Sequence, residues 1–172
     1  MIELLRNRRS IRQYLDRPIE PEKIERLKEA ALRAPSSRNI DPWEFIFVDD
    51  RELLAKLATC KPHGAGFLKG AALGIVICGD GTQSDVWIED CSIASILIQM
   101  AAQSLGLGSC WIQIRQRMHD NQVSSEQHIQ KLLDIPEHIQ VESIVAVGYA
   151  AERRTPLPVD ELKTSKVHLN RF

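Results

Sequence analysis

Apolar residues recur along this chain with two periods, and the switching between them lays out the elements. Between Glu20 and Ala34, the residues Ile24, Leu27, Ala31 and Ala34 fall on one helical stripe. Pro21 stands where a first turn tolerates it, Glu22 and Glu25 suit the positive end of the helix dipole, and Pro35 ends the run. A shorter helix is predicted before it, from Ile2 to about Arg8. WEFIFV (43–48) predicts a strand, Arg51 to Thr59 a helix, and Ala72 to Cys78 a second, buried strand. Val86 to Leu105 predicts a long helix stopped by Gly106 and Gly108. Its second half is apolar nearly all round, so it needs cover on several sides, from the centre of a domain or from a partner subunit. GSCWIQI (108–114) reads as a strand, Ser125 to Leu133 as a helix and VESIVAVGYA (141–150) as the last strand. From Ala151 onward, Pro156 and Pro158 and the lack of apolar period predict an extended arm packed on something. With no repeat and no linker, 1–172 reads as one α+β domain.

Composition narrows the class. A chain of 172 residues, 44% hydrophobic and 26% charged, builds its own core and is not disordered. Lys and Arg number 22 against 23 Asp and Glu, a net charge of −1, which offers no bulk attraction to nucleic acid or anionic membrane. Ile93 to Leu107 is the longest apolar run, but Ser95, Gln99, Gln103 and Ser104 interrupt it, and it is too short to span a bilayer. MIELLRNRRS has no apolar stretch of secretory length, so a cytoplasmic location is expected. Cys60, Cys78, Cys91 and Cys110 form no CxxC, and buried reduced thiols are expected. The five histidines show no ligand-type pairing, so no metal is expected.

Three segments carry candidate chemistry. Arg6, Arg8, Arg9, Arg12 and Arg17 crowd the first turns of an otherwise balanced chain. In an extended backbone Arg8, Ser10 and Arg12 project one way, and two guanidinium forks beside a hydroxyl suit a phosphate monoester; a solvated basic turn is the plain alternative. APSSRNIDPW (34–43) is either a helix stop leading into a strand or a rigid corner whose Ser36, Ser37 and Asn39 meet the polar edge of a planar heterocycle. GLGSCWIQIR (106–115) is a glycine-flanked strand whose peptide N–H groups could meet a ring nitrogen. The glycines of GAGFLKG (64–70) follow no predicted strand and miss the dinucleotide spacing, and no phosphate loop or serine elbow occurs.

Taken in order, RRSIR (8–12), APSSRNIDPW, GLGSCWIQIR, VGYAAE (147–152) and KVHLNRF (166–172) resemble the short branch of the FMN-dependent nitroreductase family. The resemblance implies a central mixed sheet flanked by helices in an intertwined homodimer, with residues 151–172 as an arm on the partner and FMN in two interfacial sites. It assigns Arg8, Arg9, Ser10 and Arg12 to the phosphate and the pyrimidine edge, and Pro35, Ser36, Ser37 and Asn39 to a loop reaching the flavin from the neighbouring subunit. Trp111, Ile112 and Gln113 run along the ring, one backbone N–H facing N5; Lys166, with Arg171 in competition, makes a second phosphate contact. Gln113 and Ile114 stand where many longer members carry an acidic residue and a glycine. The implied activity is ping-pong hydride transfer from NADH or NADPH through FMN to nitroaromatics, quinones or related small molecules, with no side chain acting as acid, base or nucleophile. The alternative within the family is an FMN-binding member with a specialised role, a metabolite dehydrogenase or a flavin store. A nucleic-acid module built on the N-terminal arginines is disfavoured by the charge balance.

Overall fold

A computed structural model describes residues 1–172. The elements follow the predicted order: α1 (Ile2–Asn7), α2 (Pro21–Leu32), β1 (Trp43–Val48), α3 (Arg51–Leu57), β2 (Leu73–Asp80), α4 (Trp87–Ser104), β3 (Gly108–Gln113), α5 (Ser125–Leu133) and β4 (Ile139–Gly148). Local chemistry sets several ends. The Asp50 carboxylate accepts the Leu53 N–H at 2.8 Å to start α3. Ser124 and Gln127 exchange side-chain and backbone hydrogen bonds, each 3.0 Å, in a capping box that starts α5.

The strands form one sheet in the order β1-β2-β4-β3, leaving β1 and β3 as its edges. Every pairing in it is antiparallel, which corrects the expected mixed sheet; the parallel relation is confined to an isolated bridge between Ser10 and Ser109. One face of the sheet packs Val76, Ile112, Ile144 and Ala146 on Leu54, Leu57 and Ile129 of α3 and α5. The other packs Ile75, Ile77, Val145 and Val147 on Leu27 and Ala31 of α2 and on Cys91, Ile98 and Ala102 of α4. All four cysteines are buried free thiols. No helix is long and apolar enough to cross a membrane.

Helix α4 covers the sheet with one side and leaves Ile93 and Ile96 about two-fifths exposed on another. The C-terminal segment is extended, with single 3-10 turns at Val159–Glu161 and Thr164–Lys166. Its Val167, Leu169 and Phe172 lie open to solvent.

Candidate functional site

Residues 10–15 dock along the sheet and set the geometry of the site. The Ile11 N–H donates to Ser109 O (3.0 Å), the Leu15 N–H to Tyr149 O (2.8 Å), and the Ala151 N–H to Gln13 O (2.8 Å). Two glycines make this approach possible: a Cβ on Gly108 would sit 2.9 Å from Ile11, and one on Gly148 would sit 2.9 Å from the Tyr14 ring. Ile11 is thereby buried, and Ser10 and Arg12, on either side of it, face outward. Burial pushes the Tyr14 hydroxyl well above its ordinary pKa, and it donates to Ile11 O at 2.6 Å.

Outward of this segment lies a cleft of about 720 Å³ lined by Arg6, Arg8, Arg9, Ser10, Arg12 and Arg154 with an apolar rim that includes Leu157 and Leu162. The four residues expected to act together at the N-terminus are thus brought together. Arg6 pairs with Glu3 and Arg154 with Glu152, whereas Arg8, Arg9 and Arg12 enter none of the ion pairs of the chain. The Glu152 carboxylate accepts the N–H groups of Arg12 (2.6 Å) and Gln13 (3.2 Å). These bonds, with the charge of Arg154, hold its pKa below the usual carboxylate range. Glu152 therefore fixes the backbone that carries Arg12. Sequence reading gave no role to Glu152, although it closes the VGYAAE motif, and none to Arg154 two residues later.

Strand β3 adjoins this segment through the Ser10–Ser109 bridge, although Trp111, Ile112 and Gln113 do not line the cleft itself. In an antiparallel ladder a residue sends both peptide groups to the same side, and successive residues alternate. The Ile114 N–H donates to Glu142 O at 3.2 Å, which turns 110, 112 and 114 toward β4. Ser109 O accepts from Ile11, and Gln113 O accepts from the Lys61 ammonium at 2.9 Å, so 109, 111 and 113 face the open edge. Trp111 and Gln113 hence present peptide N–H groups there, and Trp111 is 42% exposed. Ile112 presents neither: its side chain is buried in the core and its peptide groups face β4.

The loop after α2 lies apart from the cleft and is held in an unusual shape. Arg38, Asn39 and Asp41 all have φ near +55°, at values of 56°, 55° and 54°, which is strained for residues other than glycine. Its Ser36 hydroxyl bonds Asp41 (2.6 Å), the Ser37 N–H donates to Asp90 of α4 (2.9 Å), and Arg38 pairs with Asp85. Pro35 and Asn39 are exposed, and none of Pro35, Ser36, Ser37 or Asn39 lines the arginine cleft of its own chain. Lys166 and Arg171 are exposed on the arm and also stand outside it, whereas Arg154, at the start of the arm, lines it. No three His, Cys, Asp or Glu side chains converge as a metal site would require.

A model of the nitroreductase family matches residues 5–149. An FMN-dependent nitroreductase from Clostridium difficile R20291 superposes with a TM-score of 0.99 at 47% sequence identity, covering 100% of both chains. A Methanothermobacter thermautotrophicus protein, provisionally named NADH dehydrogenase/NAD(P)H nitroreductase, is 37% identical over 175 residues, covering 100% of this chain and 87% of that one. The FMN reductase [NAD(P)H] of Bacillus subtilis is 26% identical over 194 residues, covering 99% of this chain and 75% of its own length.

Proposed function

The chain belongs to the nitroreductase family, and from that premise we propose that it is an NAD(P)H-dependent flavin oxidoreductase of the cytoplasm. It works as a homodimer, holds FMN in each of two sites, and reduces nitroaromatics, quinones or related small molecules in a ping-pong cycle. The observation that carries this reading is the set of three guanidiniums, Arg8, Arg9 and Arg12, left without carboxylate partners around one cleft beside an open strand edge. The cleft volume of about 720 Å³ suits a cofactor, since small-molecule sites commonly enclose about 300–1,000 Å³. Its donors suit a phosphate monoester, and the outward N–H groups of Trp111 and Gln113 suit a heterocycle's acceptor atoms.

FMN, when bound, supplies hydride acceptance and donation at its ring. The chain's own residues bind and orient it. Arg8, Arg9, Ser10 and Arg12 hold the phosphate and the pyrimidine edge, where positive charge favours the reduced, anionic ring. The Trp111 or Gln113 N–H faces the ring nitrogen, with Ile112 packing the strand behind them. Pro35, Ser36, Ser37 and Asn39 approach from the second subunit, which accounts for a strained, exposed loop that contributes nothing to its own chain's cleft. The arm, 151–172, lines this chain's own cleft with Arg154, Leu157 and Leu162, and its end runs on over the partner, bringing Lys166 or Arg171 to a second phosphate contact there. The exposed apolar residues Ile93, Ile96, Val167, Leu169 and Phe172 support the dimer.

Flavin content and reduction test the proposal. Purified protein supplied with FMN is expected to retain about one flavin per chain and to lose its absorbance when mixed anaerobically with NADH or NADPH. A colourless protein would refute it. Retained flavin that neither nucleotide bleaches would leave the specialised, non-reductase role.

A further inference from the structure

We propose that Lys61 is the residue that recognises the acceptor: its ammonium binds the oxyanion of an aromatic acid stacked beside the Gln113 end of β3. The assignment rests on the flavin reading above and names the substrate class of that site.

Lys61 is half-buried and donates to Gln113 O at 2.9 Å. An ammonium has three donors, so two remain for a ligand. No ion pair of the chain includes Lys61, nor does any include Arg115 or Arg117, which follow β3. The charged side chain that acts on it is Arg117, a like charge. Burial and Arg117 together hold its pKa below the ordinary lysine value.

The surrounding loop is built to hold this side chain. Cys60 is fully buried and anchors it in the core. His119 Nδ1 and Thr59 O, two residues before Lys61, lie 2.9 Å apart. Gly64, at φ +78°, turns the chain so that a Cβ there would stand 3.9 Å from Lys61 Cε and Nζ. A rim lysine steadying a turn would instead point to water or to an acid.

Position supplies the rest. The N–H and C=O of Gln113 leave the same edge within one residue's rise of about 3.4 Å, so the ammonium lies within about 6–7 Å of the N–H offered to the ring. A ligand stacked there would set an oxyanion against it. Lysine is a point charge, not a planar fork, so it accepts carboxylates, nitro groups and quinone oxygens without demanding one geometry.

Calorimetric titration of the FMN-loaded protein with benzoate, benzamide and inorganic phosphate tests the assignment. Benzoate is expected to bind at least tenfold more tightly than benzamide or phosphate. Lys61→Met should bring benzoate within threefold of benzamide, and Lys61→Arg should keep the preference, with FMN content unchanged in both. Equal binding of benzoate and benzamide by the wild-type protein overturns the proposal, as does a preference that survives Lys61→Met. Phosphate binding as tightly as benzoate overturns it too, because the ring would then contribute nothing. Full flavin content with no discrimination refutes Lys61 alone; absence of flavin refutes the underlying reading as well.

Discussion

Replacing Arg12 by alanine separates a direct contact from a general field. The side chain is exposed, its guanidinium carbon lies 5.9 Å from the centre of the Phe67 ring, and it has no carboxylate partner. Its backbone is held independently by Glu152 at 2.6 Å, so the substitution leaves the chain path intact. If Arg12 acts only through solvent, a unit charge about 8 Å from the phosphate contributes about 0.5 kcal/mol, or roughly twofold in affinity. If it donates directly, a hydrogen bond to a charged group contributes about 1.5–3 kcal/mol, or roughly 10- to 150-fold. FMN titrations of flavin-free protein, followed by quenching of flavin fluorescence, are expected to show the larger loss in Arg12→Ala and a smaller one in Arg12→Lys. Riboflavin is the control: loss confined to FMN assigns Arg12 to the phosphate, and parallel loss assigns it to the ring edge. The melting temperature should fall by no more than about 4 °C, because an exposed cation–π pair contributes only about 0.5–1 kcal/mol. An FMN dissociation constant that rises less than threefold would refute direct contact.

Gly108→Ala should lower stability by about 1–3 kcal/mol and the melting temperature by about 2–12 °C. The new methyl meets Ile11 at 2.9 Å, whereas Gly66→Ala, with open space around it, serves as the thermal-melt control. Glu142 is 2% exposed, one of its carboxylate oxygens lacks a partner, and burial raises its pKa above 4.5. The folded state therefore holds that proton more tightly, so its contribution is present at low pH and lost as pH rises through the raised value. Glu142→Gln is expected to raise the melting temperature most at alkaline pH, and an unchanged pH profile would contradict this. His128 stacks on His119 with ring centres 3.9 Å apart, and burial together with His119 lowers its pKa below 6.5. Its contribution is then complete above about 6.5 and declines as pH falls toward the lowered value. Melts of His128→Phe should lack that acid decline.

Elements with strong local punctuation were legible in advance. The helix expected over 20–34 forms at Pro21–Leu32, and the one over 86–105 forms at Trp87–Ser104, because proline, glycine and apolar period agree there. The last strand begins at Ile139, ahead of the expected 141, because the turn residues Pro136 to His138 mask where its pairing with Asp80 starts. The arginine cluster was legible because its members are neighbours in sequence. Glu152 was not, since it meets Arg12 across 140 residues and no periodicity encodes that meeting. Lys61 was hidden for the same reason: only the fold brings it to the carbonyl of Gln113. Strand direction is likewise a property of pairing, so the all-antiparallel order was not legible in the strands themselves.

The distribution of charge ties these observations together. Around helix α2 most cations pair with nearby acids: Arg17 and Lys23 with Glu20, Lys28 with Glu25 and Arg33 with Glu29, Arg26 being the exception. Such exposed pairs contribute little stability, but they cancel the local field. The chain abandons that habit at one edge of its sheet. Arg8, Arg9 and Arg12 stand unpaired at the Ser109 end of β3, and Lys61 stands unpaired at the Gln113 end. Between them lie an exposed indole and two outward peptide N–H groups. With a net charge of only −1 over the whole protein, this concentration cannot serve solubility or nonspecific attraction to polyanions. It suits a long, flat ligand with an anion at one end and a second molecule's oxyanion near the other. A strand edge meets that demand better than an enclosed core pocket would. It supplies hydrogen-bond donors at fixed intervals along a line, and it leaves one side free for whatever must come and go.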